Sequence, residues 1–571
     1  MTSTQDELKV TRVRISRRDF LRYSFLGSSA AILGACAPVV VQQQPGGADT
    51  SDAASQDAGT SAEVASEEMA EPAAEEPSGT MVWMGHQEVS GLGPDDMGPT
   101  VHVVMIYNIH NPLVLYNEFT ELEMVLAESV DVAEDGLTYT FKLREGVLFH
   151  DGKEFTSADV KYTYDYYRNP DNASTIQGDF LGIDTIETPD DYTVVLNMAE
   201  VNAASLSNWA QTPIVQSEYH AEVGEEVYRT APIGTGAFKL KDWNAAEFTE
   251  LEAFADHFRG QSKIAIIRQD VVPEPSVRML ALQTGDAHSA TWPLLVEDSI
   301  ELESDSENFI VYRTLANSVK HFPLNTSLPQ LAEKQVRQAM MHALDRQRII
   351  DDLWDGAAQV AHSNLAPKNA FYYKSDTKQY EYDLEKAKAM LDEAGWVEGS
   401  DGIREKDGVK LAFTCTTITG DQARRPIAEL AQQMLAQVGV DMQLAEAPVA
   451  SILEGMTNGT MDASLFNWTY GSTPEPDPFA TLHSTGGNNF CQFKNDTMDD
   501  LIERGVALVD PEERRAIYHQ IQDLFVEEVP CLYLQFDEWM NVFSTQVQGL
   551  PEDVLSGDPI YYQAYKYTLN G

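Results

Sequence analysis

Residues 143–160 read LREGVLFHDGKEFTSADV. The stretch has two readings: a catalytic His150–Asp151 pair, or a turn between a strand and a helix. Adjacent side chains in an extended segment point to opposite faces, so Asp151 is badly placed to orient His150. A catalytic imidazole needs its carboxylate on the far side of the ring, and a nucleophile as well. Asp151-Gly152 is instead a turn dipeptide. Thr156 with Asp159 forms a capping-box pattern, and Val160, Tyr164 and Tyr167 share the buried face of the helix that follows. Just upstream, LTYTFKLREG (137–146) alternates with period two and puts Tyr139, Phe141 and Leu143 on one face. The unit is strand, turn, helix, and the body is read as α/β.

The same grammar extends along the chain. EDG before residue 137 is a hairpin turn, ETPDDYTVVLNM (187–198) is a second hairpin, and GAFKLKDW with EFTELEAF (236–254) is a third. Apolar stripes predict helices over 333–345, 383–394, 421–438 and 510–528. Asp383 caps the second, and Gly395 and Gly439 end the second and third. Asp510 and Glu513 give the fourth a capping-box pattern, with Pro511 at its first position.

The chain has 571 residues, which suggests about three to four domains, and a net charge of −51. That charge repels phosphate backbones, so nucleic acid is excluded as a partner. The first 35 residues run against the trend, with six Lys/Arg against three Asp/Glu. Arg12, Arg14, Arg17, Arg18 and Arg22 precede an apolar run from Tyr23 to Ala35. The run is shorter than the ~20 residues that span a bilayer. A basic arm before a short apolar core reads as an export signal. SRRDFLR (16–22) resembles a twin-arginine signal, and LGAC (33–36) resembles a lipobox that would lipidate Cys36. Residues 37–80 hold nine Asp/Glu and no Lys or Arg, with no apolar periodicity, and are read as a disordered acidic tether. With Cys36 lipidated, Cys415, Cys491 and Cys531 remain. Cys491 and Cys531 are open to a disulfide or to buried thiols.

The stretch 126–170, LAESVDVAEDGLTYTFKLREGVLFHDGKEFTSADVKYTYDYYRNP, resembles the signature region of bacterial extracellular solute-binding proteins of family 5, the oligopeptide, dipeptide and nickel receptors of ABC importers. The likeness recurs in order. It continues in PIGTGAFKLKDW (232–243), VVPEPSVRMLALQTGDAHSA (271–290), LNTSLPQLAEKQVRQAMMHALDRQRIID (324–351), YDLEKAKAMLDEAGW (382–396) and FNWTYGSTPEPDPFATLHSTGGNNFCQFKNDTMDDLIERG (466–505). The resemblance implies a type II periplasmic-binding-protein fold, bilobal, with an extra inserted domain and a hinge between the lobes. Residues 1–36 are the signal and 37–80 the tether. Lobe I is 81–111 with 232–316 and 535–571, the inserted domain II is 112–231, and lobe III is 317–534. The crossings near 316 and 535 form the hinge.

By the same resemblance, the chain is a lipid-anchored receptor on the outer face of the cytoplasmic membrane. It is monomeric, takes no cofactor, and passes an oligopeptide to its ABC permease subunits. WTYGSTPEPDP (468–478) carries the leading site candidates, Trp468, Thr469 and Tyr470. Their aromatic faces suit peptide planes or sugar rings, and a core role is the alternative for Trp468. Asn488 and Asn489 follow paired glycines that let backbone approach a ligand. Trp292, Glu88, Tyr107, Asn108 and His110 complete the expected ligand set. Peptide-binding members often carry an Asp about three residues after this Trp, for the ligand ammonium. Gly471 and Ser472 stand there, with Glu475 and Asp477 further on, which leaves room for an oligosaccharide or another polar nutrient. An extracellular hydrolase is the rival from another class, and signalling in place of uptake is a third reading. Against the hydrolase, GTGAF is no nucleophile elbow and no HExxH occurs. His102 and His110 lack a third ligand, so no metal is expected.

Overall fold

In a computed structural model, the structure describes residues 76–570 except 98, 99, 173, 175, 292, 293, 422, 470–474 and 477. The signal, Cys36 and nearly all of the expected tether therefore lie outside the described residues. Pro77 onward belongs to one unit.

Among the described residues, the largest sheet has nine strands. Its order is Phe466–Thr469, Phe309–Pro323, Cys531–Ser544, Ser289–Ala290, Ser78–Gly85, Ile264–Val271, Phe248–Ala253 and Phe238–Asn244, with Ala358–Val360 also on Cys531–Ser544. Phe309–Pro323 and Cys531–Ser544 are 15 and 14 residues long and pair antiparallel. At ~3.3 Å per residue, strands of that length run for roughly 50 Å. At one end they join strands from early in the chain; at the other they join Phe466–Thr469 and Ala358–Val360. Between the ends, the register slips. Leu315 faces Glu538 and Val319 faces Phe536, so four steps on one strand meet two on the other.

The apolar core divides along these strands. One cluster runs from Val319 to Phe536 and holds the apolar stripes of Lys334–Ala343, Leu384–Glu393, Arg425–Ala436 and Pro511–Glu528. A second joins Met81–Ile109 to Ala237–Ile267 and Phe543–Tyr567. A third lies within Leu113–Ile214, under the four-stranded antiparallel sheet of Ala127–Val132, Thr138–Leu143, Thr193–Met198 and Ile183–Asp190. That third body touches the first where Ala203 N donates to Val506 O at 2.8 Å.

The local expectations from sequence are met closely. All three hairpins form. Asp383 accepts from Lys386 N, and Gly395 and Gly439 adopt φ of +83° and +82°. Asp510 accepts from Glu512 and Glu513 N–H groups, so Asp510's half of the expected capping box is what the structure shows. The predicted 421–438 helix begins later, at Arg425, because Asp421 first closes a turn by accepting from Ala423 N and Arg424 N. Cys415, Cys491 and Cys531 are buried free thiols. Cys491 and Cys531 are thus not a disulfide here, although their side chains hydrogen-bond.

The opening stretch is a turn. Thr156 and Asp159 form the reciprocal cap of Ser157–Arg168, whose Val160, Tyr164 and Tyr167 are fully buried. Among the described residues, His150 hydrogen-bonds backbone and no nucleophile. Its Nε2 reaches Gly236 O at 3.0 Å, and its Nδ1 accepts from Gly234 N at 3.3 Å. Burial lowers its pKa to about 4, so the ring is a neutral brace between the third body and the GTGAF segment. Gly234 and Gly236 are needed for that segment's path. A Cβ on either would sit 2.1 or 2.3 Å from the carbonyl oxygens of Ile109 and Asn108.

Candidate functional site

The end of Thr100–Ile109 is fixed by this close glycine crossing, and it carries three of the expected ligand residues. Tyr107 OH donates to Gln211 O at 2.9 Å, and its ring lies 4.4 Å from that of Tyr562. Asn108 is buried and its Nδ2 donates to Val104 O and Tyr561 O at 2.7 and 2.9 Å. Tyr107 and Asn108 line a small recess of ≈30 Å³, whose other walls include Arg259, Pro559 and Gln563. His110 is wholly buried, with Nε2 3.2 Å from Leu92 O. Burial lowers its pKa to about 3, so it acts as a core histidine and not a ligand contact. His102 likewise meets backbone, at Asp96 O and Glu88 O, while the Glu88 side chain is exposed.

On the other half, Trp468 sits opposite Val319 in the edge strand, with its ring edge-on to Phe490 at 6.0 Å in a cluster with Ile452 and Met456. Thr469 pairs with Ser318 through backbone; its side chain, Tyr470, Trp292 and Asp477 lie outside the described residues. Asn488 is exposed, whereas Asn489 is a correction. Its Nδ2 donates to His483 O and Phe493 O at 3.1 and 2.7 Å and its Oδ1 accepts from Phe493 N at 3.1 Å, so both of its donors are spent on backbone in a buried turn. The expected residues thus divide between two places: the recess beside Tyr107, and the edge strand at Trp468.

Where the two long strands slip, the structure assembles a polar network that sequence reading missed. Lys320 Nζ lies 2.9 Å from Asp537 Oδ2, with both side chains about nine-tenths buried. Gln535 Nε2 donates to Asp537 Oδ1 at 2.8 Å and Asn467 Nδ2 to Oδ2 at 3.1 Å. Arg424 pairs with Asp421 and reaches Asn467 Oδ1. Burial depresses the Lys320 pKa, opposed by Asp537, and its ammonium lies 4.1 Å from the Trp354 ring centre. The faint signal for this network was a Lys inside an otherwise apolar strand, SVKHF (318–322).

Glu475, just past the undescribed part of the Trp468 loop, is held by Arg514 at 2.7 and 3.2 Å and by Tyr372 OH at 2.6 Å. A buried bidentate pair of this kind braces a loop. It also removes the loop's first described acid from contention as a ligand's counter-charge.

Residues 121–490 match the model of the bacterial extracellular solute-binding proteins, family 5, middle part. The chain belongs to this family. It is 29% identical to the oligopeptide-binding protein AppA of Bacillus subtilis over 444 residues, covering 76% of this chain and 81% of that one. It is 28% identical to the glutathione-binding protein GsiB of Pectobacterium atrosepticum over 490 residues, covering 82% and 91%. The structure of Bacillus subtilis AppA in complex with a nonapeptide superposes with a TM-score of 0.75 at 26% identity, over 87% of this chain and all of that one. This family 5 chain therefore has the type II periplasmic-binding-protein fold and is the substrate-binding protein of an ABC importer, not an enzyme. Family 5 proteins work outside the cytoplasm. No helix among the described residues is long and apolar enough to cross a membrane.

Proposed function

We propose that this protein captures oligopeptides between two lobes that close about the slip in the Phe309–Pro323 and Cys531–Ser544 pair, and delivers them to its permease. The observation that carries the reading is that slip: two adjacent strands connect two separate apolar cores, and their ladder is interrupted between them. A break in a two-strand connection is where φ/ψ changes are absorbed most easily in a hinge. Enclosure then strengthens each hydrogen bond to the solute by excluding water. Lobe I comprises 81–111, 232–316 and 535–571; 112–231 is the inserted domain and 317–534 lobe III. Cys36 carries the lipid, residues 37–80 the leash, and the receptor works as a monomer on the outer membrane face after export by the twin-arginine route.

The peptide assignment is supported by the names of the relatives, AppA with its nonapeptide among them. A second reading, an oligosaccharide or other neutral nutrient, is favoured by the Trp468 loop, where Gly471 and Ser472 offer no acid and Glu475 is engaged by Arg514. Native mass spectrometry of protein purified without unfolding separates them. A heterogeneous peptide envelope supports peptide capture, and a ladder of hexose masses replaces it with the second reading.

A further inference from the structure

The inserted domain is fastened to lobe I. Leu555 N and Ser556 N donate to Glu118 O at 2.8 and 2.9 Å, His150 Nε2 reaches Gly236 O at 3.0 Å, and Arg229 pairs with Asp96. The same domain also reaches lobe III, through residues that belong to neither long strand. Ala203 N donates to Val506 O at 2.8 Å. Three residues on, Val509 rests against the Ala133–Gly136 turn. A Cβ on Gly136 would come 2.7 Å from Val509 Cγ2 and 3.3 Å from Val201 Cγ1. Gly136 has φ of +71°, so the turn needs glycine twice, for its backbone and for the room the valine takes.

On the lobe III side the contact is made by the short connection between Asp496–Val506 and Pro511–Glu528. Arg514 fixes that connection, its Nη1 donating to Leu508 O at 2.8 Å and to Val509 O at 3.4 Å. The other nitrogens of the same guanidinium hold Glu475, at the end of the Trp468 loop. One side chain thus positions both the contact with the inserted domain and the loop of the leading ligand candidates. The contact itself is small, one backbone hydrogen bond and a valine that stays 43% exposed. That is too little to weld two bodies together and enough to bias an equilibrium between them. No solute takes part in it.

We propose that Val506 and Val509 of lobe III, with the Gly136, Val201 and Ala203 notch of the inserted domain, form a latch that favours the shut form of the empty receptor. The latch rests on the reading of two hinged lobes and adds the contact that sets their resting balance. Because it favours closure whatever is enclosed, breaking it weakens every ligand by the same factor. Residues that never touch the solute therefore set affinity without setting selectivity.

Pulsed dipolar spectroscopy tests this on protein stripped of solute. Spin labels go on Asp184→Cys in the inserted domain and Gln433→Cys in lobe III, both exposed and outside the contact. Ala203→Pro removes the N–H at the second position of the Asn202–Ser205 turn, where proline fits. Val509→Asp puts a charge against Gly136 and Val201, and Ala203→Ser keeps the donor as a control. The wild type should show a short distance that matches the structure. Ala203→Pro and Val509→Asp should each lower the ratio of short to long distances roughly 3- to 10-fold, and Ala203→Ser should leave it unchanged. The two variants act on opposite partners, so either one that folds by circular dichroism decides the matter. A mixed or long distribution that neither variant moves overturns the latch and leaves the hinged lobes standing. A single short distance in all four proteins overturns the latch and the hinge together.

Discussion

The Lys320 ammonium lies 2.9 Å from the Asp537 carboxylate, side by side on the two strands that connect the halves, and beside the slip in their ladder. A charge pair in that position does two things. It holds the strands together where backbone pairing is interrupted, and it ties the slip to the Trp468 strand through Asn467.

Breaking that pair strands a buried charge. Lys320→Met should lower stability to urea by about 3–5 kcal/mol, and adding Asp537→Leu should restore much of the loss. A single-variant cost below about 1 kcal/mol would show that the pair is solvated when the lobes move.

Arg514→Met should free the Trp468 loop at its Glu475 end, because both guanidinium contacts to that carboxylate vanish. The expected loss is about 3–5 kcal/mol. Arg514→Lys should recover only part of it, since an ammonium cannot make the forked contact. Full recovery by Lys would mean charge alone holds the loop.

Trp468→Ala should lower the stability of the ligand-free protein by about 2–3 kcal/mol, because the ring is partly buried against Phe490. If the ring also meets the solute, the stabilisation by ligand at a hundred times its dissociation constant, about 2.7 kcal/mol in the wild type, will shrink. An unchanged increment in melting experiments would make Trp468 a brace and nothing more.

Acid should destabilise the protein through its buried histidines, from about pH 6.5 downward. His86, His150, His257 and His321 are lowered by burial from 6.5 to about 4, and His110 to about 3. Below pH 6.5 the unfolded chain binds protons that the folded one refuses. Their stabilising contribution is therefore complete above pH 6.5 and is lost as pH falls towards 4. His150→Gln should flatten the slope of stability against pH in that window by up to about 1.4 kcal/mol per unit. An identical slope would mean that His150 is protonated with little penalty.

The readings that needed only neighbours in sequence were legible. Asp151-Gly152, the Thr156–Asp159 cap, the stops at Gly395 and Gly439 and the three hairpins depend on turn geometry and side-chain period, which act over a few residues. The roles of single polar residues were not legible in that way. Asn489 looks like a ligand amide until Phe493 and His483 are seen to use it. His110 looks available until its burial is known.

From sequence alone came the α/β alternation, the caps and turns, the acidic body behind a basic N-terminal arm, and, through motifs in fixed order, the family. Tertiary structure decided which polar groups meet: Lys320 with Asp537, and Glu475 with Arg514. The reason is physical. A helix or a turn is specified by residues a few positions apart. Whether a charge is paired depends on partners that lie tens to hundreds of residues away in the chain and on how much water the fold leaves between them.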